Sequence, residues 1–355
     1  MENLRFEKRA ELKQKPTDES SLGFGKLTTD YMLAINYTGA KGWHDARIVP
    51  YGPLSLDPAT SSLHYGQLIF EGLKAYKTGG GEIVMFRPRE NIKRMNTGLE
   101  RLCIPTLDED FTLDAIRELV NTERGWIPSG DGTSLYIRPF ILATDPVLGV
   151  TASDSYLFLT ILSPVGSYYK EGMSPVRIFV EDKYTRAGAG GTGYAKCAGN
   201  YAGTMLAQKL AAANGYAQVM WLDGKERRYV EEIGTSNAFF VISGEVITPP
   251  TSETILAGIT RKSSVELLRS LGYTVTERPI TIDEVYDAYK AGRLDEAFAT
   301  GTAAVVSPIG ELGWKDEVMK LTGGKIGKVA QTLYDELTGI QLCKKADPFG
   351  WVYRV

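Results

Sequence analysis

The chain has 355 residues, of which 43% are hydrophobic and 23% charged, a composition typical of a globular enzyme. This length exceeds what one hydrophobic core usually holds, so two domains are expected. The formal net charge of −3 gives no electrostatic case for binding nucleic acid or an anionic membrane, and no apolar run is long enough to cross a bilayer.

The reactive side chains are few. Three cysteines, Cys103, Cys197 and Cys343, lie far apart without a C-x-x-C pair, which favours reduced thiols and a cytoplasmic location. The first twenty residues are highly charged and lack the apolar stretch of a signal peptide. With only His44 and His64 present, the sequence argues against a structural zinc site and a Ser-His-Asp triad. We therefore expect chemistry based on lysine, carboxylates or a cofactor, with no metal.

The first half of the chain mixes strands and helices. Runs of β-branched and aromatic residues predict strands at Ile83–Phe86, Leu135–Ala143 and Tyr156–Ser163. Helical spacing of apolar residues predicts helices at Asn91–Leu102 and Leu113–Asn121, the second with Thr112 as its N-cap.

The stretch Ser163–Pro175 (SPVGSYYKEGMSP) has no periodicity and is rich in proline, glycine, serine and tyrosine. It fits a linker between two domains, although an ordinary long surface loop fits its composition as well. We expect a small N-terminal α/β domain over residues 1–164, an interdomain loop over 165–175 and a larger C-terminal domain over 176–355.

The second half repeats the mixture, which indicates an α+β or α/β fold. Predicted strands are Val176–Val180, Gln218–Leu222 and Glu296–Ala299, with a hairpin of Ala238–Ile242 and Val246–Thr248 across Ser243-Gly244. Predicted helices are Tyr201–Ala213, a segment carrying Val265, Leu268 and Leu271 that ends at Gly272, and Thr281–Ala291.

One lysine has an unusual setting. Lys196 lies in the segment RAGAGGTGYAKCAGNYAG, after the glycine-rich run Gly188–Gly193 and before Gly199. Glycines allow the backbone to approach a ligand closely. A lysine that is held and desolvated has a lowered pKa, and its amine becomes a nucleophile toward carbonyl groups. The pattern favours a lysine that forms a Schiff base.

The glycine-rich run fits a nucleotide-binding loop less well than it fits a Schiff-base site. Gly188–Gly193 satisfies G-x-G-x-x-G, but a dinucleotide-binding loop needs a strand running directly into it and an acidic residue about 20 positions further on. The strand Val176–Val180 ends too early, and no carboxylate lies near Ala213. A Walker A loop would need Ser or Thr after the lysine, where Cys197 stands. A plain glycine-rich surface loop stays open.

Four further features are compatible with pyridoxal phosphate as the partner of Lys196, although each also has an ordinary structural role. Glu232 could keep a pyridine nitrogen protonated. Thr260 fits a helix N-cap, so that the amides of Ile259 and Thr260 could bind a phosphate. Arg94 and Arg186 are candidates for a phosphate-binding arginine, Tyr201 for the partner of a ring hydroxyl, and Gly301-Thr302-Ala303 for a carboxylate nest.

The order of motifs resembles the branched-chain amino acid aminotransferases, which are fold type IV pyridoxal phosphate enzymes of two domains. The resemblance runs from about Phe24 to Val355. It rests on FGKLTTDYM, SSLHYGQLIFEGLKAY, FRPRENIKRMN, GTSLYIRPF, LGV, GGTGYAKCAGNYAG, EIGTSN, ITRKS and GTAAVVSP.

The resemblance implies a role for each matching residue. Lys196 is the catalytic residue and binds the cofactor aldehyde. The other cofactor-binding residues are Arg94 (phosphate), Tyr201 (ring hydroxyl), Glu232 (pyridine nitrogen), Thr235, Ile259, Thr260 and Thr302. The substrate carboxylate is held at Thr302 and Ala303, and the side-chain pocket is formed by Phe24, Tyr65, Phe70, Tyr136, Arg138 and Tyr168. Arg186 has a supporting role only.

The implied reaction moves the amino group of L-leucine, L-isoleucine or L-valine to 2-oxoglutarate, with Arg138 taking the γ-carboxylate of glutamate. The implied assembly is a homodimer. A D-amino acid aminotransferase and an aminodeoxychorismate lyase share the scaffold, but they are shorter and lack the segment FGKLTTDYM. Mammalian members carry C-x-x-C after the GTA motif, where this chain has Ala304 and Ser307, so thiol regulation of that kind is not expected.

Overall fold

The computed structural model describes residues 4–166 and 173–355. By its contacts, the chain divides into two compact units. Unit 1 contains the described residues up to 166, Ala195–Ala198 and Gly339–Val355, whereas unit 2 contains residues 173–194 and Gly199–Thr338.

The first part of the chain forms eight strands and three α-helices, with short 3-10 turns at Glu19–Ser21 and Arg124–Trp126. They are β1 (Arg5–Phe6), β2 (Tyr31–Thr38), β3 (Gly42–Pro50), α1 (Ser61–Tyr65), β4 (Leu68–Phe70), β5 (Leu73–Lys77), β6 (Ile83–Phe86), α2 (Pro88–Arg101), α3 (Glu109–Thr122), β7 (Ser134–Ala143) and β8 (Ser155–Val165).

The remaining described residues contain the other strands and helices, with a 3-10 turn at Thr322–Gly324. They are β9 (Val176–Glu181), α4 (Ala198–Ala202), α5 (Met205–Ala213), β10 (Gln218–Leu222), β11 (Val230–Ile233), β12 (Ser236–Ile242), β13 (Glu245–Thr248), α6 (Ile259–Ser270), β14 (Val275–Glu277), α7 (Ile282–Lys290), β15 (Leu294–Gly301), β16 (Val305–Trp314), β17 (Glu317–Lys320), α8 (Lys328–Gln341) and β18 (Val352–Arg354).

Unit 1 is built on one sheet of order β1-β3-β2-β8-β7-β5-β6-β18, with β4 paired to β7. All pairs are antiparallel except β1 with β3. Apolar side chains of α2 and α3, among them Met95, Leu99 and Leu119, join the sheet residues in one buried cluster. Burial of such residues is the main stabilising contribution to the unit.

Helix α3 begins earlier than the sequence predicts. Its N-cap is Asp108, whose side chain accepts a hydrogen bond from Phe111 N–H at 2.8 Å. The expected N-cap, Thr112, is a buried residue inside the first helical turn. The prediction was wrong because the aliphatic pattern begins at Leu113, whereas the helix begins one turn earlier, at Glu109.

Two buried carboxylates connect the chain around Tyr31 to the residues that follow α3. Asp30 Oδ2 accepts a hydrogen bond from Trp126 Nε1 at 2.8 Å, and its Oδ1 accepts one from Lys13 N–H at 2.6 Å. Glu123 accepts a hydrogen bond from Tyr31 N–H. The pKa of Glu123 is raised to about 7, chiefly by burial; the Tyr31 hydrogen bond opposes the shift and the Asp30 charge adds to it.

Unit 2 is built on a sheet of order β11-β10-β9-β16-β15-β12-β13-β14, with β17 paired to β16. An additional β11–β12 pairing closes the ring β11-β10-β9-β16-β15-β12. Parallel pairs join β9 to β10 and β16, and β13 to β14. The predicted hairpin of β12 and β13 is confirmed, with Ser243 and Gly244 at positive φ as a two-residue turn requires.

The helix predicted over Tyr201–Ala213 is divided into α4 and α5. Thr204 Oγ1 donates to Tyr201 O at 2.7 Å and accepts from Gln208 Nε2 at 2.8 Å. Such side-chain bonds to nearby backbone compete with a continuous helix. Helix α5 then ends at Ala213, just before Asn214, as expected.

The two units differ in two segments from the domains expected at 1–164 and 176–355. Gly339–Val355 belongs to unit 1 because β18 pairs with β6. Ala195–Ala198 also belongs to unit 1 through contacts with β4. Within the expected linker Ser163–Pro175, Ser163 to Val165 continue β8, and residues 167–172 lie outside the described residues.

None of the helices in residues 4–166 and 173–355 combines the length and apolar character that a bilayer crossing needs.

Glu123→Gln tests the buried carboxylate. Because the folded pKa of Glu123 is about 7 against an ordinary 4.5, the folded chain holds the proton more tightly than the unfolded chain. The wild-type free energy of unfolding therefore falls as pH rises between these values. We expect Glu123→Gln to gain stability relative to wild type across this window, measured by urea unfolding at about pH 5 and about pH 8.

The matched control is Glu118→Gln on the exposed face of α3, the helix that Glu123 follows as C-cap; it should show the wild-type pH dependence. A Glu123→Gln variant with the pH dependence of Glu118→Gln would contradict the raised pKa of Glu123.

Candidate active site

The residues predicted from the sequence fall into both units. Unit 1 contains Phe24, Tyr65, Phe70, Arg94, Tyr136, Arg138 and Lys196; unit 2 contains Arg186, Tyr201, Glu232, Thr235, Ile259, Thr260, Thr302 and Ala303. Tyr168 lies outside the described residues.

Lys196 is held against β4 by backbone contacts. Phe70 N–H donates to Lys196 C=O at 3.1 Å, and Cys197 forms an antiparallel bridge with Ile69. The half-buried Lys196 side chain places Nζ 5.1 Å from the Phe70 ring centroid, a cation–π distance. The backbone thus gives this lysine a defined position.

Small residues allow the Lys196 segment to lie close to β4 and α2. A Cβ on Gly98 of α2 would overlap Ile69 and would lie 3.4 Å from the Ala195 Cβ. Gly98 therefore lets the Lys196 segment and β4 pack together against the helix.

Arg94 forms a buried ion pair that the sequence did not predict. Its Nε lies 2.8 Å from Glu71 Oε1 and its Nη2 lies 2.8 Å from Glu71 Oε2. Asn91, one helical turn before Arg94, donates from Nδ2 to Glu71 Oε2 at 2.8 Å. Glu71 was missed because a single glutamate at the end of β4 carries no sequence signal of a partner on α2.

Arg138 lies among aromatic rings on one face of β7. Residues 136 and 138 point the same way because side chains alternate along a strand. The Arg138 guanidinium lies 4.6 Å from the Phe70 ring and 5.2 Å from the Tyr136 ring, and Nη2 donates to the Tyr136 hydroxyl at 3.2 Å. Its Nε is buried and has no hydrogen-bond partner among the described residues. A carboxylate is the group that such an arginine binds best.

The structure brings Phe24 to this cluster but not Tyr65. The Phe24 ring lies 4.9 Å from the Tyr136 ring in an edge contact. Tyr65, at the end of α1, is exposed, and its hydroxyl donates to Leu148 O. Four of the predicted pocket residues (Phe24, Phe70, Tyr136 and Arg138) are thus connected by contacts within unit 1.

In unit 2, the glycine-rich run packs against a neighbouring loop. A Cβ on Gly193 would lie 2.7 Å from Thr254 Cα and 2.8 Å from Glu253 O. Arg186 Nη2 donates to Gly193 O at 3.0 Å and also to Thr254 O. Gly190 has φ +73°, which side-chain-bearing residues rarely adopt. The glycines are required by backbone packing here.

Glu232, one of two adjacent glutamates in β11, has a partner at each carboxylate oxygen. Its Oε1 accepts from Leu256 N–H at 2.7 Å, and its Oε2 lies 3.2 Å from Arg186 Nε, with both side chains buried. An adjacent arginine favours the charged form of a carboxylate.

Its neighbour Glu231 has a different environment. Burial raises the pKa of Glu231, opposed by a hydrogen bond from Thr254 and by the Arg186 charge. Its Oε2 is buried without a hydrogen-bond partner among the described residues. The two carboxylates therefore differ: both oxygens of Glu232 contact a neighbouring group, whereas one oxygen of Glu231 has no hydrogen-bond partner among the described residues.

Helix α6 has its N-cap two residues earlier than expected. The cap is Gly258 rather than Thr260, and no side chain caps the helix. Ile259 and Thr260 are the first two helical residues, and both are buried. Their amides belong to the helix N-terminus, as predicted, where the first N–H groups lack intrahelical partners and favour anions.

The remaining predicted residues of unit 2 lie at turns or in a short helix. Thr235 lies in the two-residue turn between β11 and β12, and Tyr201 is half-buried in α4. Thr302 and Ala303 form the turn between β15 and β16, which ends at Val305 with φ +64°. A β-branched residue at positive φ is strained, and such strain is often found at functional sites.

Comparison with known proteins assigns the chain to a family. The family model for amino-transferase class IV matches residues 68–312. The chain belongs to the class IV aminotransferases. Branched-chain-amino-acid aminotransferase 2 of Bacillus subtilis is 52% identical over 354 residues, covering 100% of this chain and 97% of that protein. Branched-chain-amino-acid transaminase 1 of the same organism is 53% identical over 350 residues, with 98% of each chain covered.

Solved structures of branched-chain amino acid aminotransferases are similar to this chain over most of its length. The Escherichia coli branched-chain amino acid aminotransferase aligns with a TM-score of 0.76 at 26% identity, covering 91% of this chain and 98% of that one. The T.th. branched-chain amino acid aminotransferase, complexed with N-(5'-phosphopyridoxyl)-L-glutamate, aligns with a TM-score of 0.72 at 27% identity, covering 90% and 97%. The expected family and fold class are confirmed.

Gly72→Ala tests the Arg138 cluster. A Cβ on Gly72 would overlap the Tyr136 hydroxyl, so Tyr136 must move and lose its hydrogen bond with Arg138. If Arg138 takes the γ-carboxylate of glutamate, we expect kcat/KM for L-glutamate to fall about tenfold more than kcat/KM for L-leucine.

The matched control is Gly79→Ala, where an added Cβ meets no atom within 4 Å. An equal loss for both amino acids in Gly72→Ala, or no loss for either, would contradict the role of this cluster in substrate discrimination.

Proposed function

We propose that this protein transfers the amino group of L-leucine, L-isoleucine or L-valine to 2-oxoglutarate, forming the 2-oxo acid and L-glutamate, with pyridoxal 5'-phosphate as its cofactor. The observation that carries the proposal is the full-length similarity to branched-chain-amino-acid aminotransferases. The position of Lys196 beside Phe70, whose ring also contacts Arg138, supports it.

The residues present fit this cofactor. A phosphate would be bound at the start of α6, which no side chain caps, and by Arg94. A protonated pyridine nitrogen would be held by Glu232, and Tyr201 would bond the ring hydroxyl. Thr235 and Thr302 would complete the cofactor-binding set. When bound, the cofactor supplies an aldehyde that accepts the amino group and a ring that withdraws electrons from the substrate Cα.

Lys196 would have two tasks. Its Nζ would hold the cofactor aldehyde covalently in the resting enzyme. Once the substrate amino group takes that place, Nζ would act as the base that removes the proton from Cα and later returns it. The backbone contacts of Lys196 with β4 favour these tasks because proton transfer requires a base held within hydrogen-bonding reach.

Glu232 would stabilise positive charge on the ring nitrogen. The Leu256 N–H and the Arg186 guanidinium hold both carboxylate oxygens in place. A carboxylate held in this way would favour protonation of the nitrogen and thereby the loss of the Cα proton.

The substrate would be held at both ends. The amides of Thr302 and Ala303, in the turn after β15, would bind the α-carboxylate. Phe24, Phe70 and Tyr136 would surround an aliphatic side chain. Arg138 would bind the γ-carboxylate of glutamate, so one pocket serves both substrates.

We also propose that the protein is a homodimer of the cytoplasm. Three free cysteines without a disulfide among them are compatible with a reducing compartment. Sedimentation of the active enzyme tests the assembly, since a fully active monomer would refute it.

The test of the function is the visible absorption spectrum of the purified protein with cofactor. Addition of L-leucine should bleach the band of the bound aldehyde form, and 2-oxoglutarate should then restore it, because the amino group passes in two half-reactions. D-leucine should have no effect. A band that responds to the D-amino acid and not to L-leucine would contradict the proposed substrate, and a band unchanged by any amino acid would contradict transamination.

A further inference from the structure

Glu71 is a buried carboxylate at the bend between β4 and β5. It follows Phe70, the residue that donates to the Lys196 carbonyl, and it is 1% exposed. Its own N–H donates to Pro139 O at 2.7 Å, which fixes the backbone of the bend against β7. The family resemblance assigned no role to this residue.

Four donors surround the Glu71 carboxylate. Arg94 contributes Nε and Nη2, each at 2.8 Å to a different oxygen. Asn91 Nδ2 donates to Oε2 at 2.8 Å, and Gly72 N–H donates to the same oxygen at 3.1 Å. This is a side-on, two-point pair, the geometry that fixes the plane of a guanidinium.

The Glu71 side of the pair is closely packed. A cavity of about 10 Å³, lined by Glu71, Asn91 and apolar side chains such as Leu73, Met95 and Phe158, has room for at most one water molecule. Burial opposes the charge of Glu71, but the charge and hydrogen bonds of Arg94, together with the Lys196 charge, outweigh it and hold the pKa of Glu71 below its usual range. A water molecule could therefore not easily take the place of the Glu71 carboxylate as the partner of Arg94.

The ion pair with Glu71 determines how the Arg94 guanidinium is oriented. An arginine has five N–H groups, and Glu71 uses Nε–H and one N–H of Nη2. The end of the guanidinium formed by Nη1 and the second N–H of Nη2 is turned away from Glu71. Without Glu71, the side chain would sample several rotamers and would have to be ordered again on binding an anion.

We propose that Glu71 is a positioning residue for the cofactor phosphate: it fixes the Arg94 guanidinium so that the edge turned away from the carboxylate meets the anion. This assignment rests on the proposed function, since Arg94 is there given the phosphate. Glu71 touches neither substrate nor cofactor and acts through Arg94.

Two probes separate this role from a general structural one. Pyridoxal 5'-phosphate carries the phosphate, whereas pyridoxal has the same ring and aldehyde without it. Each is titrated into the full-length protein freed of cofactor, and the dissociation constant is read from the quenching of tryptophan fluorescence. In Glu71→Gln the dissociation constant for pyridoxal 5'-phosphate should rise about tenfold or more, and that for pyridoxal should change less than about twofold. An equal rise for both probes, or none for either, overturns the proposal.

Two further variants complete the design. In an Arg94→Gln background, Glu71→Gln should leave the ratio of the two dissociation constants unchanged; a further fall in phosphate preference would show that Glu71 does not act through Arg94. Glu71→Asp keeps the charge but is one carbon too short to reach both Arg94 nitrogens. It should show the same selective loss to a smaller degree, and it serves as the test if Glu71→Gln does not fold.

The matched control is Glu123→Gln, which neutralises another buried carboxylate of unit 1 and should retain the wild-type dissociation constants of both probes. Binding of pyridoxal 5'-phosphate by the wild type shows which of the two proposals fails, the role of Glu71 or the proposed function. Tight binding of pyridoxal 5'-phosphate by the wild type and by Glu71→Gln alike refutes only the role of Glu71, whereas no binding by the wild type refutes the proposed function and this assignment with it.

Discussion

The position of Lys196 against β4 is the constraint on which the candidate site depends. A short stretch, Ala195–Ala198, lies in unit 1, although the chain on either side of it belongs to unit 2. The Phe70–Lys196 hydrogen bond and the Ile69–Cys197 bridge hold this stretch, and Gly98 provides the space. A lysine that both binds a carbonyl group and moves a proton needs a defined position, and the backbone pairing fixes the point from which its side chain extends.

Charge near the predicted site residues is balanced in buried pairs. Arg94 pairs with Glu71 in unit 1, and Arg186 pairs with Glu232 in unit 2. Removing one partner of such a pair leaves a buried charge and typically costs about 3–5 kcal/mol. The pairs also restrict geometry, because each arginine is held on one edge by its carboxylate. Under the proposed function, an anionic cofactor would meet groups that are already oriented, so less free energy would be lost on binding.

Local signals predicted most of the regular structure. The strands Ile83–Phe86 and Gln218–Leu222 have the bounds that the sequence indicated, because compact runs of apolar residues define them. Helix caps were misplaced at Thr112 and Thr260, since a cap depends on which side chain or glycine the backbone turn accepts. Glu71 could not be predicted, because its partner is 23 positions away and only the packing of α2 against the bend joins them. The roles proposed for the site residues were inferred from the order of motifs shared with the family, because the chemistry of each residue alone left other roles open.

The central claim is that Lys196 carries the cofactor, and trapping the covalent link tests it most directly. Lys74 is the informative rival, because it is buried and burial lowers its pKa to about 8, which also favours an amine nucleophile. The protein is incubated with pyridoxal 5'-phosphate, reduced with borohydride, digested and mapped by mass spectrometry. We expect the reduced phosphopyridoxyl group on the peptide containing Lys196. Its presence on the peptide containing Lys74, with Lys196 unmodified, would contradict the role given to Lys196.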